Sequence, residues 1–213
     1  PCENCRIPPK DKKEMTILPP EKIGRYLQEA EKYGVLPMFY LELSSGLRRG
    51  ELLALQWEDL NVKERILTVN KQITRMEGEL DVTEPKTKNS VRKVALSQQA
   101  VDLLAQEHEL HPDNPILFPS PRTGGYWSPD AVSRINRKLL KNAGIEENVR
   151  FHDLRHTFAT MAISSGVDVK TLSSSRPHRP RYARPATGSA GRYSPAFSHT
   201  QYRAGSSHPW GYI

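Results

Sequence analysis

From Ser173 to Ile213 the chain loses the residues from which a hydrophobic core is built. Those 41 residues contain no leucine, valine or methionine and a single isoleucine. Such a segment buries too little apolar surface to offset the entropy of ordering it. Any core must therefore form from residues 1–172, and residues 173–213 are expected to be a disordered tail. The tail also distorts the charge balance. Its six arginines, with no lysine and no acid, supply +6 of the chain's +7, leaving 25 basic and 24 acidic residues before it. The globular part is nearly neutral, so a nucleic-acid reading has to rest on placed residues rather than on bulk charge.

The 213 residues suffice for one full-sized domain with appendages. No apolar run approaches the ~20 residues that span a bilayer, and no signal-peptide pattern is present. The expectation is an intracellular, cytoplasmic protein. Cys2 and Cys5 form one CxxC pair. Alone, it cannot complete a tetrahedral zinc site, so no metal is assigned. Residues 1–15 lack periodicity and read as a linker entering a domain.

Periodicity then sketches an α+β domain over residues 16–172, mainly helical with a small antiparallel β-sheet. A helix start is expected at Pro19-Pro20. The apolar run Leu36 to Leu43 leads into Gly46, and a short helix from about Arg49 to Trp57 turns Leu52, Leu53 and Leu55 toward the core. Alternation at Ile66–Val69, Gln72–Arg75 and Val91–Leu96 predicts about three strands. Helical spacing returns at Ser97–Leu110, at Ser128–Ala143 and from about His152 to Ser165, ended by Gly166. Leu154, Phe158 and Met161 are expected on the buried side of that last helix.

Three motifs carry chemistry. Gly46 to Glu51 (GLRRGE) sets two arginines at a helix start, where backbone N–H groups favour an anion and a guanidinium offers a bidentate fork. Phe151 to Phe158 (FHDLRHTF) places His152 and Arg155 three apart on one helical face. A proton-moving imidazole beside a phosphate-holding guanidinium suits phosphoryl transfer. A metal pair of His152 and His156 is disfavoured, since Asp153 replaces the zincin glutamate and no third ligand is evident. Pro85 to Arg92 (PKTKNSVR) sets Lys86 between strands, at a hairpin. Each motif alone also reads as an ordinary solvated or structural feature.

Together and in this order the motifs resemble the tyrosine recombinase (phage integrase) family, particularly integrases of conjugative transposons. The resemblance covers about residues 16–172. It implies a tyrosine recombinase catalytic domain, with Arg48 and Arg155 as the catalytic arginines, Lys86 as the hairpin lysine and His152 as the histidine paired with Arg155. Glu51 is expected to orient Arg48. The implied reaction needs no cofactor: a tyrosine hydroxyl attacks a DNA phosphate and forms a 3′-phosphotyrosyl bond, which a 5′-hydroxyl later reverses. Implied partners are double-stranded DNA recombination sites, a tetramer of recombinases on that DNA, and accessory bending or directionality factors. The implied setting is integration or excision of a bacterial mobile element, at the nucleoid.

The chain departs from the family pattern after Ser174. A histidine in a Leu-Gly-His segment and a tyrosine nine residues later are missing. His178 has Thr187 nine residues on, and Tyr182, Tyr193, Tyr202 and Tyr212 fall at other spacings. No nucleophile is assigned. The codons for Pro177 to Arg181, shifted by one base, permit Leu-Ile-Gly-His-Val, so a frameshifted tail is one expectation. Likewise, residues 1–15 read as the linker from a missing core-binding domain. Two function classes stay open: a DNA strand-transferase, and a non-catalytic DNA-binding remnant of an integrase. A metal-dependent nuclease is disfavoured by the lack of a carboxylate cluster.

Overall fold

The computed structural model describes residues 16–76, 79–83 and 91–167. Three helices open the fold: α1 (Pro20–Lys32), α2 (Leu36–Ser45) and the short α3 (Arg49–Leu53). Five strands follow, β1 (Leu60–Asn61), β2 (Ile66–Val69), β3 (Gln72–Met76), β4 (Glu79–Thr83) and β5 (Arg92–Ala95). Then come α4 (Gln98–Leu110), α5 (Pro129–Asn142) and α6 (Phe151–Ser164). The α+β expectation holds, with helix dominant and all strand pairing antiparallel.

Proline explains where several helices begin. It lacks the N–H that a first turn leaves unpaired, and its fixed φ already suits a helix. Pro20 and Pro129 each occupy the first position, and α2 carries Pro37 in its first turn. Ser97 caps α4 by accepting the Ala100 N–H at 3.2 Å.

Alternate positions of β2 point inward, burying Leu67 and Val69. Aromatic edges tie the helices together: Tyr26 of α1 meets Phe39 of α2 at 5.9 Å between ring centroids, and Phe39 meets Phe151 at 5.6 Å. The Tyr26 hydroxyl donates to Asn136 Oδ1 at 2.6 Å, while Asn136 Nδ2 donates to the Val149 carbonyl at 2.9 Å. Buried polar groups that are fully partnered specify one arrangement. Here they fix α5 against α1 and set the entry into α6.

Two expectations need correction. The strands do not form one sheet. β2 pairs with β1 and β5, whereas β3 pairs with β4 in a separate hairpin running from Gln72↔Thr83 to Met76↔Glu79. β4 escaped notice because its sequence, ELDVT, is exposed or half-buried throughout and gives little apolar alternation. The second correction is that α3 stops at Leu53, short of Trp57. The backbone beyond it is engaged elsewhere: Leu117 N–H donates to the Leu55 carbonyl at 2.9 Å, and Trp57 N–H to the Pro115 carbonyl at 3.0 Å. Those bonds are incompatible with another helical turn.

Candidate active site

The site is built on the junction between α2 and α3. Gly46 ends α2 in the left-handed conformation (φ 59°, ψ 38°), and its N–H donates to the Glu42 carbonyl at 2.9 Å. Only glycine adopts that backbone at little cost. It is needed for space as well, since a Cβ there would stand 2.3 Å from the Phe158 ring of α6. This close approach lets the Arg155 Nη1 donate to the Gly46 carbonyl. Phe158 and Met161 are half-buried rather than buried, and the Phe158 ring lies against the glycine turn.

Two residues after the turn, Arg48 forms the N-cap of α3. The Glu51 carboxylate accepts the Arg48 backbone N–H at 2.8 Å and its Nη1 at 2.9 Å. Glu51 thus bonds Arg48 twice, and it has a second partner. Arg92, the first residue of β5, donates Nη1 and Nη2 to the two Glu51 oxygens at 2.8 and 2.5 Å. Side-chain exposure separates the roles: Arg92 is 10% exposed and Glu51 9%, while Arg48 is 61% exposed. Arg92 is spent on Glu51; Arg48 keeps donors free for a ligand.

Electrostatics follow from this packing. Burial alone would raise the Glu51 carboxyl, but the hydrogen bonds and charge of Arg92 and Arg48 outweigh it and hold the pKa at about 2. Burial, then the Arg48 and Arg92 charges, lower the Arg155 guanidinium. Three cations crowd one turn, and a guanidinium keeps its proton even so. With Arg92 spent on Glu51, the charge left on Arg48 and Arg155 is suited to an anion.

His152 lies one turn before Arg155 on α6. Its ring meets that of His156 edge-on at 5.1 Å. Burial, then the His156 charge, lowers its pKa from 6.5, and Asp153 opposes the shift. The neutral imidazole can therefore take up a proton at physiological pH. Asp153 is itself occupied, accepting the Arg150 N–H at 2.9 Å and its Nε at 2.8 Å.

The fold thus gathers Arg48, Glu51 and Arg155 at one turn, with His152 beside them on α6. Lys86, Cys2, Cys5 and the tyrosines of the tail lie outside the described residues. Among the described residues no group of three or more His, Cys, Asp or Glu assembles as a metal set. Nor is any helix there long and apolar enough to cross a membrane.

Residues 17–180 match the model of the phage integrase family. The chain belongs to that family. Among curated relatives, the ICEBs1 integrase of Bacillus subtilis is 32% identical over 185 residues, covering 81% of this chain and 50% of the relative. A XerC-like tyrosine recombinase of Caldanaerobacter subterraneus is 28% identical, covering 72% and 44%. The chain thus spans about half the length of these integrase-family relatives. Of solved structures, the Tn1549 transposon integrase in complex with transposon right end DNA shares the fold at a TM-score of 0.69 and 21% identity, covering 78% of this chain and 59% of that one. The XerA recombinase gives 0.63 at 27% identity, covering 81% and 58%.

Two buried residues beside the site carry only weak sequence signals. In the sequence Arg92 stands only as the end of a basic run. Its signal is strand phase, because Arg92 and Val94 share the less exposed face of β5. An arginine in step with an inward valine calls for a buried acid partner. Glu42 is the other, an acid between Leu41 and Leu43 that is 1% exposed. Its signal is the lone carboxyl inside an apolar helical run.

Proposed function

We propose that the turn joining α2 and α3 is the scissile-phosphate site of a site-specific DNA recombinase that integrates or excises a mobile element. The observation that carries this reading is the convergence of Arg48 and Arg155 on Gly46, with Arg48 exposed and Arg155 only half-buried. The solved DNA complex of the Tn1549 integrase supports double-stranded DNA as the ligand.

In this mechanism Arg48 and Arg155 neutralise the non-bridging phosphate oxygens, and preorganised charge stabilises the crowded transition state. A tyrosine oxygen attacks phosphorus, the bond to the 5′-oxygen breaks, and a 3′-phosphotyrosine forms. Lys86 delivers the proton that the leaving 5′-oxygen takes, while His152 moves the tyrosine proton. A 5′-hydroxyl of the partner strand reverses the step, conserving bond energy without a cofactor. Glu51 orients Arg48. Residues 16–172 form the catalytic domain, residues 1–15 the linker from a core-binding domain, and residues 173–213 a tail of different, frameshifted origin. Assembly as a tetramer with accessory bending or directionality factors, in the bacterial cytoplasm at the nucleoid, completes the reading.

A second reading, a DNA-binding remnant without turnover, is favoured by one sequence observation. No tail tyrosine has the family spacing, and the position nine beyond His178 is Thr187. A nicked suicide duplex separates the two. A covalent protein–DNA adduct is expected of the recombinase. Salt-sensitive binding without adduct would leave the remnant, and neither result would remove DNA from the account altogether.

A further inference from the structure

Glu42 is the buried titratable group that the proposed chemistry does not use. It sits on α2 one turn before Gly46, is 1% exposed, and its Oε2 has no hydrogen-bond partner. The nearby donors are committed elsewhere. The Arg155 Nη1 donates to the Gly46 carbonyl, and the Tyr26 hydroxyl donates to Asn136. Glu51, by contrast, binds two arginines with both oxygens. An ionised carboxylate buried without partners costs several kcal/mol and protonates instead.

We infer that Glu42 is a positioning residue, held as the neutral acid beneath Arg155 so that the arginine stays turned to the Gly46 carbonyl and the anion site. Were the carboxyl ionised, its field would draw the guanidinium inward and cancel charge that a phosphate needs. With Glu42 neutral, three guanidinium groups face a single ionised carboxylate, Glu51. The groups acting on Glu42 agree with this assignment. After burial, which raises its pKa well above the ordinary value, Arg155 of α6 opposes the shift and Glu51 of α3 adds to it. Tyr26 of α1, whose hydroxyl pKa is raised by burial and then by Glu42, is not among the groups that act most on Glu42. From α4, which also packs on α2, comes none of the charges that act on it most.

The inference rests on the phosphate-site reading, and its test keeps the two apart. The whole chain, labelled with 13C at the glutamate carboxyls, is titrated by NMR, the Glu42 resonance being assigned by its loss in Glu42→Gln. That resonance is expected to keep its protonated position well above the ordinary carboxylate value of 4.5. Infrared detection of a buried protonated carboxyl in the native chain makes the same measurement if Glu42→Gln fails to fold. Affinity for a short fluorescein-labelled duplex is then compared. Glu42→Gln, which copies the neutral acid, is expected to keep native affinity within about twofold, whereas Arg155→Gln loses about tenfold or more. A Glu42 carboxyl that titrates at the ordinary value of 4.5 overturns the inference and leaves the anion site standing. Equal losses in Glu42→Gln and Arg155→Gln also overturn it, because Glu42 would then act as an ionised partner. A native chain that binds no duplex overturns the phosphate reading itself.

Discussion

Glu42 and Glu51 lie four residues before and five residues after Gly46, both buried and both near Arg155. Their surroundings drive them to opposite charge states. Glu51 meets two guanidinium groups in good geometry, so its charge is compensated and its pKa falls to about 2. Glu42 lies deeper, at 1% exposure against 7%, one oxygen has no donor, and its pKa rises. Burial alone therefore does not set a carboxyl's state. The hydrogen-bond donors committed to it do.

Removing the compensated charge should have the largest effect. Glu51→Gln leaves Arg92 buried at 10% exposure beside Arg48 and Arg155 without a counter-charge. Breaking a buried pair from one side costs about 3–5 kcal/mol, which urea unfolding at neutral pH would register. The comparison also fixes the signs with pH. Glu51 has a depressed folded pKa, so its contribution is full above the ordinary 4.5 and is lost as pH falls toward about 2. The raised Glu42 does the reverse: stability declines as pH rises above 4.5. Glu42→Gln should flatten that decline. Parallel pH profiles for the two variants would break the comparison.

Next in size is the turn between the two acids. Gly46→Ala places a side chain at φ 59° and a Cβ 2.3 Å from the Phe158 ring. Left-handed strain and overpacking together should cost about 2–3 kcal/mol. Because Arg155 reaches the turn through the same contact, duplex affinity should fall along with the thermal midpoint. A variant that loses stability yet binds DNA normally would separate the α2–α6 contact from the anion site.

Gly50→Ala probes the other side of α3. There a Cβ would stand 2.8 Å from the Ile73 carbonyl of β3. Backbone cannot yield as a side-chain tip does, so α3 must shift, at about 1–2 kcal/mol. The shift should loosen Arg48 on Glu51 while leaving Glu42 untouched. In carboxyl NMR the Glu51 resonance should move and that of Glu42 should stay.

How much of this was legible in the sequence follows from the range of the interactions. Local periodicity located the helices, because spacing, proline at the first turn and the Ser97 cap act within a few residues. Arg48, His152 and Arg155 were legible as parts of compact motifs. The strand pairing was not. Ile66–Val69 and Arg92–Ala95 meet across an intervening hairpin, and nothing local says that Gln72–Met76 leaves the sheet. Arg92 and Glu51 are 41 positions apart, and only the assembled sheet brings them together. The missing donor at Glu42 is likewise a property of the packed state, since Tyr26 and Arg155 are committed by partners that no short window contains.

The smallest expected effect concerns His152, which sits at the rim rather than among the buried carboxyls. Burial is the larger cause of its lowered pKa and the His156 charge the smaller. His156→Gln should therefore return only part of the shift, moving the His152 Cε1–H titration midpoint up while keeping it below 6.5. Full recovery would mean that the neighbouring charge, not desolvation, governs this ring. No movement would mean that the edge-on contact at 5.1 Å carries no electrostatic weight. Glu51 and Glu42 should titrate as before in either case, since His152 is absent from the charges that act most on either. The His152 end of the site and the carboxyls near Arg155 would then be tunable separately.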